Sequence, residues 1–320
     1  MKDRIAIVAG IRTPMCKAGG VFNHVTADEL GAIAVREVIM CSELPVDLIS
    51  EVIMGNVAQP ANATNVARVI ALKAGVPMHV PAFTVQRNCA SGAEAIMLAA
   101  DRITNGQSDI VIAGGAESMS NMPLLHNKQM ADWLGHLQRC KSFGEKLSHL
   151  KSLRLKHLKP VIGLVAGLTD PICGLIMGKT AEILAREFHI TREEQDDYAL
   201  LSQQRACKAI QAGHFLKEIL PVPVPPSFHT VQHTDDGPRF EQSIEQLQKL
   251  RPYFDRHNGT VTVGNASQLT DGACAVMLMK ESRAKELGVK PLGFVRAAAA
   301  AAFLLLGTAA ALSPLAWPPA

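Results

Sequence analysis

The chain has 320 residues, of which 48% are hydrophobic and 4% are aromatic, and its formal net charge is +3. This composition excludes a disordered chain, and the length is enough for one elaborate domain or two. So weak a positive charge, with so few aromatic side chains, disfavours a nucleic-acid-binding protein. A small anionic ligand remains compatible with it.

The seven cysteines are widely spaced, odd in number and without a CxxC pair. This pattern disfavours a zinc site or a disulfide framework and favours a reducing compartment. We expect no metal, and we expect most of the thiols to be small core residues. The seven are Cys16, Cys41, Cys89, Cys140, Cys173, Cys207 and Cys274.

The N-terminus runs directly into an apolar strand pattern at residues 4–10. Because no charged and apolar leader precedes this strand, neither a secretory signal nor a transit peptide is expected. We expect a cytoplasmic protein, with the mitochondrion as the alternative.

The first third of the chain alternates between strand and helix patterns, which predicts an α/β layer structure. A capping box at Thr26 and Glu29 precedes the first helix. The predicted strands are 4–10, 51–55, 82–86 and 109–113, the last closing at Gly114-Gly115, and the predicted helices are 30–38, 64–74 and 89–104.

Residues 119–250 carry helix patterns but few strands, and strands resume at 273–279 and 292–296. We therefore interpret 119–250 as an insertion between strands of one α/β domain. A second capping box, Thr191 with Glu194, begins a helix that ends at Gly213. Seven cations between Arg139 and Lys159 have only Glu145 as a nearby acid, which indicates either a solvated face or a surface for an anion or a partner.

The last segment, 297–320, is rich in alanine and contains no charged residue. About 20 apolar residues would suffice to span a membrane. However, Pro314, Pro318 and Pro319 crowd its end, and no basic anchor follows. We expect no membrane span, and we favour a non-native or frame-shifted tail.

The segment Gln86–Gly92 lies at a strand-to-helix junction, which predicts Cys89 in the first turn of a mostly buried helix. Free backbone N–H groups and the helix dipole favour a thiolate there, and the small neighbours admit a substrate. The alternative is a buried core cysteine. Cys173, in a loop-like setting, is the best rival nucleophile, whereas Cys274 lies in a strand pattern.

The run NCASG around Cys89 resembles the acylation motif of the thiolase family, and other motifs follow in the order and spacing of that family. The resemblance extends from residue 4 to about residue 296. The further motifs are IRTP (11–14), the turn at Gly55-Asn56-Val57, GGAESMS (114–120), MGKTAE (177–182), REEQD (192–196), LRPYF (250–254) and GNASQLTDGA (264–273).

The resemblance implies acyl transfer between coenzyme A thioesters, either 3-ketoacyl-CoA thiolysis or acetyl-CoA condensation. Cys89 would accept the acyl group, and its own N–H would help bind the thioester oxyanion. Acyl-CoA and CoA would be the substrates, with no cofactor. Thiolases commonly form homodimers or tetramers, so the same assembly is an expectation for this chain.

The implied fold is a thiolase-like layered α/β/α N-terminal half with a helical loop-domain insertion and a truncated C-terminal half. The expected division is 1–118 with 251–290 as the α/β domain, 119–250 as the loop domain covering CoA, and 291–320 as the start of the C-terminal domain with its atypical tail. The matching CoA-binding residues are Arg239, Phe254, Ser267 and Met177. The ordinary alternatives are a surface charge for Arg239, a core position for Phe254 and a turn residue for Ser267.

Many short-chain members carry a histidine where this chain has Ile176, before the Met-Gly of the loop domain. The more apolar pocket favours longer or branched 3-ketoacyl substrates.

The Gly-His-Pro, Asn-Glu-Ala-Phe and Cys-x-Gly motifs of the family do not occur in this sequence. We therefore expect an exposed apolar face and impaired turnover. The alternatives are a non-enzymatic thiolase isoform that binds acyl-CoA or thiolase subunits, and a ketoacyl synthase, which the long insertion disfavours.

Overall fold

The computed structural model describes residues 3–299, which form a mixed β-sheet with helices on both faces and a largely helical insertion. The strands are β1 (Ile5–Arg12), β2 (Cys16–Lys17), β3 (Glu51–Gly55), β4 (Ala82–Val85), β5 (Val111–Ser118), β6 (Leu124–Leu125), β7 (Val161–Ile162), β8 (Val222–Pro223), β9 (Val231–Gln232), β10 (Thr270–Lys280) and β11 (Gly293–Val295). The helices are α1 (Ala27–Ser42), α2 (Val66–Lys73), α3 (Ser91–Thr104), α4 (Lys128–Arg139), α5 (Phe143–Leu150), α6 (Gly163–Gly167), α7 (Met177–Glu187), α8 (Arg192–Gln211), α9 (Ile244–Gln248) and α10 (Glu281–Glu286).

The central sheet has seven strands, in the order β11-β1-β10-β5-β3-β4, with β2 paired to β10. Strands β3, β4 and β5 are parallel, whereas β1, β10 and β11 are antiparallel to their neighbours. The helices α2 and α3 make the parallel crossovers, so the carboxyl ends of β3, β4 and β5 share one edge of the sheet. The turn that carries Cys89 follows β4 at this edge.

Helices α1 and α2 cover one face of the sheet and enclose the larger core, which includes Leu30, Met54 and Ile70. Helix α3 packs on the other face, where Ile53 and Leu278 are fully buried. The capping box of Thr26 and Glu29 begins α1, as the sequence predicts, with the N–H of Thr26 donating to Glu29 Oε2 over 2.9 Å. The α/β layered fold is therefore confirmed.

Strand β5 extends to Ser118, so the prediction that it closes at Gly114-Gly115 is wrong. The glycines continue the strand because the neighbouring backbone is too close for a side chain. A Cβ built on Gly114 would lie 2.0 Å from the carbonyl oxygen of Cys274 on β10. Glycine is here a requirement of close strand packing and not a strand terminator.

The insertion contains helices α4–α9 and four two-residue strands, in agreement with the helix-rich pattern of 119–250. The predicted cap at Thr191 is present, since its Oγ1 accepts a hydrogen bond from the N–H of Glu194 at the start of α8. No helix within residues 3–299 is long and apolar enough to cross a membrane. The expectation of a non-native tail concerns 297–320, of which residues 300–320 lie outside the described part of the chain.

Candidate acyl-transfer site

Cys89 is exposed and lies in the tight turn between β4 and α3. Helix α3 begins at Ser91 with Ala90 as its N-cap, so the prediction that Cys89 lies within the first helical turn is wrong by two residues. The chain must reverse direction before it can start the helix, and Asn88 makes this reversal with a left-handed backbone, φ 46°. The prediction of a strand, a tight turn and a helix start in succession is confirmed.

Hydrogen bonds of the turn hold its shape. The N–H of Arg87 donates to Ser91 Oγ over 2.8 Å, and this hydroxyl donates to the carbonyl of Asn88 over 2.6 Å. The N–H groups of Ala90 and Ser91 donate to the carbonyls of Arg87 and Asn88. The N–H of Cys89 is not among these donors, and the Cys89 residue itself is exposed.

The turn is seated on the sheet through a close backbone contact. A Cβ on Gly55, the last residue of β3, would lie 2.4 Å from the carbonyl carbon of Ser91. Gly115 on β5 approaches Gly92 in the same way, since its Cβ would lie 3.3 Å from the Gly92 Cα. Small residues on both sides therefore bring the start of α3 directly onto β3 and β5.

The carboxylate of Glu117 fixes the loop that follows β3. Its carboxylate accepts hydrogen bonds from the N–H groups of Val57 and Ala58 and from Asn56 Nδ2, over 2.8–3.0 Å. Burial nevertheless raises the pKa of the Glu117 carboxyl above its ordinary value. Gln86 Nε2 donates to the carbonyl of Val57 over 3.3 Å, which connects this loop to the segment before Cys89. Sequence reasoning quoted these motifs but assigned Glu117 no part.

The other thiols differ from Cys89 in their surroundings. Burial raises the pKa of Cys16 to about 12, and burial also raises the pKa of Cys274. Both lie in strands, but of the seven thiols only Cys16 and Cys207 are buried, so the expectation that most of them are core residues is wrong.

Cys173 is exposed in a turn headed by Asp170, whose carboxylate accepts the N–H of Cys173 over 3.0 Å. Cys41 is exposed as well, but it lies within α1, where burial and the neighbouring Glu37 raise its pKa. Cys173 remains a rival, but it does not precede a helix seated on the sheet.

Two of the predicted CoA-binding residues, Met177 and Phe254, lie at or beside the start of α7. Met177 is exposed at the first position of this helix, and Gly178 follows it. A Cβ on Gly178 would lie 2.2 Å from the ring of Phe254, so the glycine makes room for that ring. The half-buried Phe254 also contacts Tyr253 edge to face, with 5.0 Å between the ring centroids.

The other two predicted residues lie on exposed loops that are joined by Gln268. Arg239 is exposed, and its N–H donates to Gln203 Oε1 over 2.8 Å. Ser267 is also exposed, and the neighbouring Gln268 donates to the carbonyl of Gly237 over 3.3 Å. Arg239 lines a surface groove together with Glu241, Gln242, Gln246 and Leu250.

Two buried carboxylates, Glu182 and Asp196, hold several of the sequence motifs together. Glu182 accepts the N–H groups of Thr260 and Val261 over 2.9 and 3.0 Å. Asp196 accepts hydrogen bonds from Arg192 Nε and Asn265 Nδ2, over 2.7 and 2.9 Å. These bonds tie α7 and α8 to the loops before β10. The described contacts link these carboxylates to the four predicted CoA-binding residues. No described contact links either group to the turn that carries Cys89.

The thiolase N-terminal domain model matches residues 5–282 of this chain. Among curated relatives, a 3-ketoacyl-CoA thiolase of Pectobacterium carotovorum is 40% identical over 319 residues, which cover 98% of this chain and 72% of the relative. A 3-ketoacyl-CoA thiolase of Escherichia coli is 40% identical over 312 residues, with 96% of this chain and 71% of the relative covered.

Solved structures agree with these relatives. The crystal structure of the Bacillus anthracis acetyl-CoA acetyltransferase superposes with a TM-score of 0.81 at 36% identity, covering 92% of this chain and 69% of the other. Human mitochondrial 3-ketoacyl-CoA thiolase in complex with CoA superposes with a TM-score of 0.78 at 34% identity, covering 91% and 68%.

The alignment with the Pectobacterium relative also corrects one expectation. With 98% of this chain covered, fewer residues remain unmatched than the 24 that follow Arg296. The similarity therefore continues past Arg296, and the expectation that it stops there is wrong. From the match over residues 5–282, the identity of 40% and the shared fold, the chain belongs to the thiolase family of acyltransferases.

Proposed function

We propose that Cys89 accepts an acyl group from a coenzyme A thioester and passes it to a second coenzyme A. The observation that carries this proposal is the exposed thiol at a turn whose backbone is fixed by Ser91 and by the contact with Gly55. A rigid, accessible thiol with small neighbours suits attack on a carbonyl carbon.

The exchange has two steps that mirror each other. The Cys89 thiolate attacks the thioester carbonyl, a new S–C bond forms, and the bond from the acyl carbon to the CoA sulfur breaks, so that CoA leaves as a thiolate. A second CoA thiolate then attacks the acyl-enzyme and releases Cys89. The N–H of Cys89 is a donor for the carbonyl oxygen as its charge develops. Within residues 3–299, no side chain hydrogen-bonds Cys89 Sγ as a general base would.

The same proposal assigns the insertion, 119–250, to covering CoA, with 1–118 and 251–290 as the α/β domain and 291–320 as the start of a further one. Arg239 is the candidate for the anionic nucleotide end, because a guanidinium pairs well with phosphate. Phe254, which lies beside Gly178, and the neighbouring Met177 provide an apolar wall, and Ser267 provides a hydroxyl for the pantetheine amides. The contact of Phe254 with Gly178 supports treating Met177 and Phe254 as one unit.

For the substrate, we propose 3-ketoacyl-CoA esters with longer or branched acyl chains. The half-buried Leu175 and Ile176 before Met177 make this stretch apolar, which favours additional methylene groups in the acyl chain. Bacterial relatives named 3-ketoacyl-CoA thiolase support the proposal. A homodimer or tetramer and a location in the cytoplasm belong to the same proposal.

The test is isotope exchange between acetyl-CoA and labelled free CoA in the presence of the purified chain. Exchange needs only the acyl-enzyme and no carbon–carbon bond chemistry, so it isolates the proposed step. We expect the wild type to exchange label, Cys89→Ala to lose exchange to background, and Cys173→Ala to retain it. CoA binding with no exchange in the wild type would instead favour a non-enzymatic acyl-CoA binder.

A further inference from the structure

Residues 124–162 form an excursion from the insertion, which we name the basic hairpin. Strands β6 and β7 pair at its base, and α4, α5 and a 3-10 turn at Leu155–Leu158 lie between them. The side chain of Asn127 closes the loop by donating to the carbonyls of Lys156 and Lys159 over 2.9 and 2.7 Å. Within the described chain, the hydrogen bonds of residues 126–159 stay inside the hairpin, so it is a self-contained unit.

Helix α4 uses its apolar face inside the hairpin. Trp133 is 8% exposed, donates from Nε1 to Ser152 Oγ over 2.9 Å and stacks on His149 with 5.0 Å between the rings. Its neighbours Met130, Leu134 and Leu137 are half-buried. The hairpin therefore has its own small core.

Helix α5, in contrast, exposes its apolar face to solvent. Phe143, Leu147 and Leu150 recur at the spacing of one helical face, yet all three are exposed, Phe143 by 81%. Leu155 and Leu158 in the 3-10 turn are exposed as well, Leu155 by 87%. An apolar stripe on a helix that already belongs to a folded hairpin indicates a surface that something else covers.

The hairpin is also the most basic part of the molecule. Between His126 and Pro160 it has eight cations and two acids, a net charge of +6, whereas the whole chain has +3. All eight cations are exposed, and Lys128 is the member that forms an ion pair with another described residue, Asp132. The eight are Lys128, Arg139, Lys141, Lys146, Lys151, Arg154, Lys156 and Lys159.

We propose that the basic hairpin binds the surface of an anionic lipid bilayer. Exposed leucines and a phenylalanine on a short helix, surrounded by unpaired lysines and arginines, match the two requirements of interfacial binding, which are apolar insertion at the headgroup boundary and attraction to lipid phosphates. With 12 and 8 residues, α4 and α5 are far shorter than the about 20 residues that a spanning helix needs. The hairpin therefore lies on the bilayer.

Charge complementarity selects the bilayer over the other occupants. Nucleic acid would satisfy the cations through its phosphates, but it would leave the apolar α5 stripe, with Phe143 81% exposed, in contact with water. A protein partner would need a large acidic surface that also accepts the α5 stripe, whereas an anionic bilayer presents both a dense negative charge and an apolar interior. This inference is independent of the acyl transfer proposed for Cys89.

The test is flotation of the full chain with vesicles of phosphatidylcholine alone, or of phosphatidylcholine with about one third phosphatidylglycerol. We expect the chain to float with the anionic vesicles and not with the neutral ones, and raised salt to weaken the binding. Equal binding to neutral vesicles, or no binding to either, would overturn the proposal. The second outcome would leave a protein partner as the occupant.

Two hairpin variants and a matched control sharpen the test. Lys146→Glu/Lys151→Glu/Arg154→Glu should lower the partition coefficient by at least about 100-fold, since the loss of each cation contributes about fivefold. Phe143→Ser/Leu147→Ser should also lower it. The control Lys208→Glu/Lys217→Glu/Lys290→Glu changes charge equally at exposed positions outside the hairpin and should bind like the wild type. Retention by both hairpin variants, or equal loss in the control, would overturn the proposal, and unchanged circular dichroism establishes that each variant is folded.

Discussion

At the scale of single residues, the buried carboxylate of Glu117 orders a loop through hydrogen bonds, although burial disfavours its charged form. Its three hydrogen bonds fix Asn56, Val57 and Ala58, the loop against which Gln86 is placed. Burial opposes its ionisation more strongly than these bonds favour it, so its pKa lies above 4.5. The carboxylate thus orders the loop beside Cys89 at some expense in stability near neutral pH.

This gives a pH-dependent prediction. A carboxyl whose pKa is raised by folding stabilises the folded state below its unfolded pKa, and this contribution is lost as pH rises through the folded pKa. Relative to Glu117→Gln, the wild type should therefore lose free energy of unfolding as pH rises from below 4.5 towards neutrality. Denaturant unfolding at a series of pH values measures the difference. Parallel curves for the two proteins would contradict the raised pKa.

At the same scale, the sequence predicted the nucleophile turn but not its support. The NCASG run and its place between a strand and a helix are readable as a local pattern. Glu117 and Asn56 are 61 residues apart, and they meet because β3 and β5 are neighbours in the sheet. Such contacts depend on strand order, which local periodicity does not contain.

At the scale of elements, the seating of α3 on the sheet depends on glycine. The predicted boundaries of β3 and β4 agree with the structure to within one residue, but α3 starts two residues late and β5 runs past its glycines. Both differences have the same origin, because local residue preference does not determine where this turn and this strand end. Backbone packing against β10 and β3 decides both ends instead.

Gly55→Ala tests this seating. The added Cβ would meet the Ser91 backbone at 2.4–2.5 Å, and the backbone cannot move aside cheaply. We expect a loss of about 1–3 kcal/mol in the free energy of unfolding, together with slower CoA exchange.

Gly135→Ala is the matched control, because a Cβ there meets nothing within 4 Å and the residue lies within α4. It should be neutral or stabilise by up to about 1 kcal/mol. Chemical denaturation of both variants measures the difference. Equal effects at the two positions would show that close packing of α3 on β3 is not what Gly55 provides.

At the scale of the whole molecule, the apolar residues divide between a central core and a peripheral surface. One face of the sheet is covered by α1 and α2, and the other by α3, beside which Ile7, Val276 and Val295 are only half-buried. The sequence predicts an exposed apolar face for this half of the fold. The half-buried side chains beside α3 are the part of the sheet that comes nearest to such a face. The basic hairpin adds a second, separate apolar surface.

Substitution of one buried and one exposed leucine tests the distinction between the core and the hairpin surface. Leu30 on α1 is fully buried, and Leu30→Ala should cost about 2–5 kcal/mol in the free energy of unfolding. Leu155 in the basic hairpin is 87% exposed, and Leu155→Ala should change the free energy by no more than about 0.5 kcal/mol. Urea denaturation compares the two. A comparable loss for Leu155→Ala would place that side chain in a core and remove it from the proposed bilayer surface.

Peptide mass spectrometry of the full chain, after incubation with acetyl-CoA and acid quenching, tests directly whether Cys89 is the acyl acceptor. We predict an acetyl group on the peptide that contains Cys89, removed by added CoA and absent from Cys89→Ala, while Cys173→Ala is acetylated like the wild type. Acetylation of Cys173 in place of Cys89, or an unmodified Cys89 in a folded wild-type chain, would contradict it.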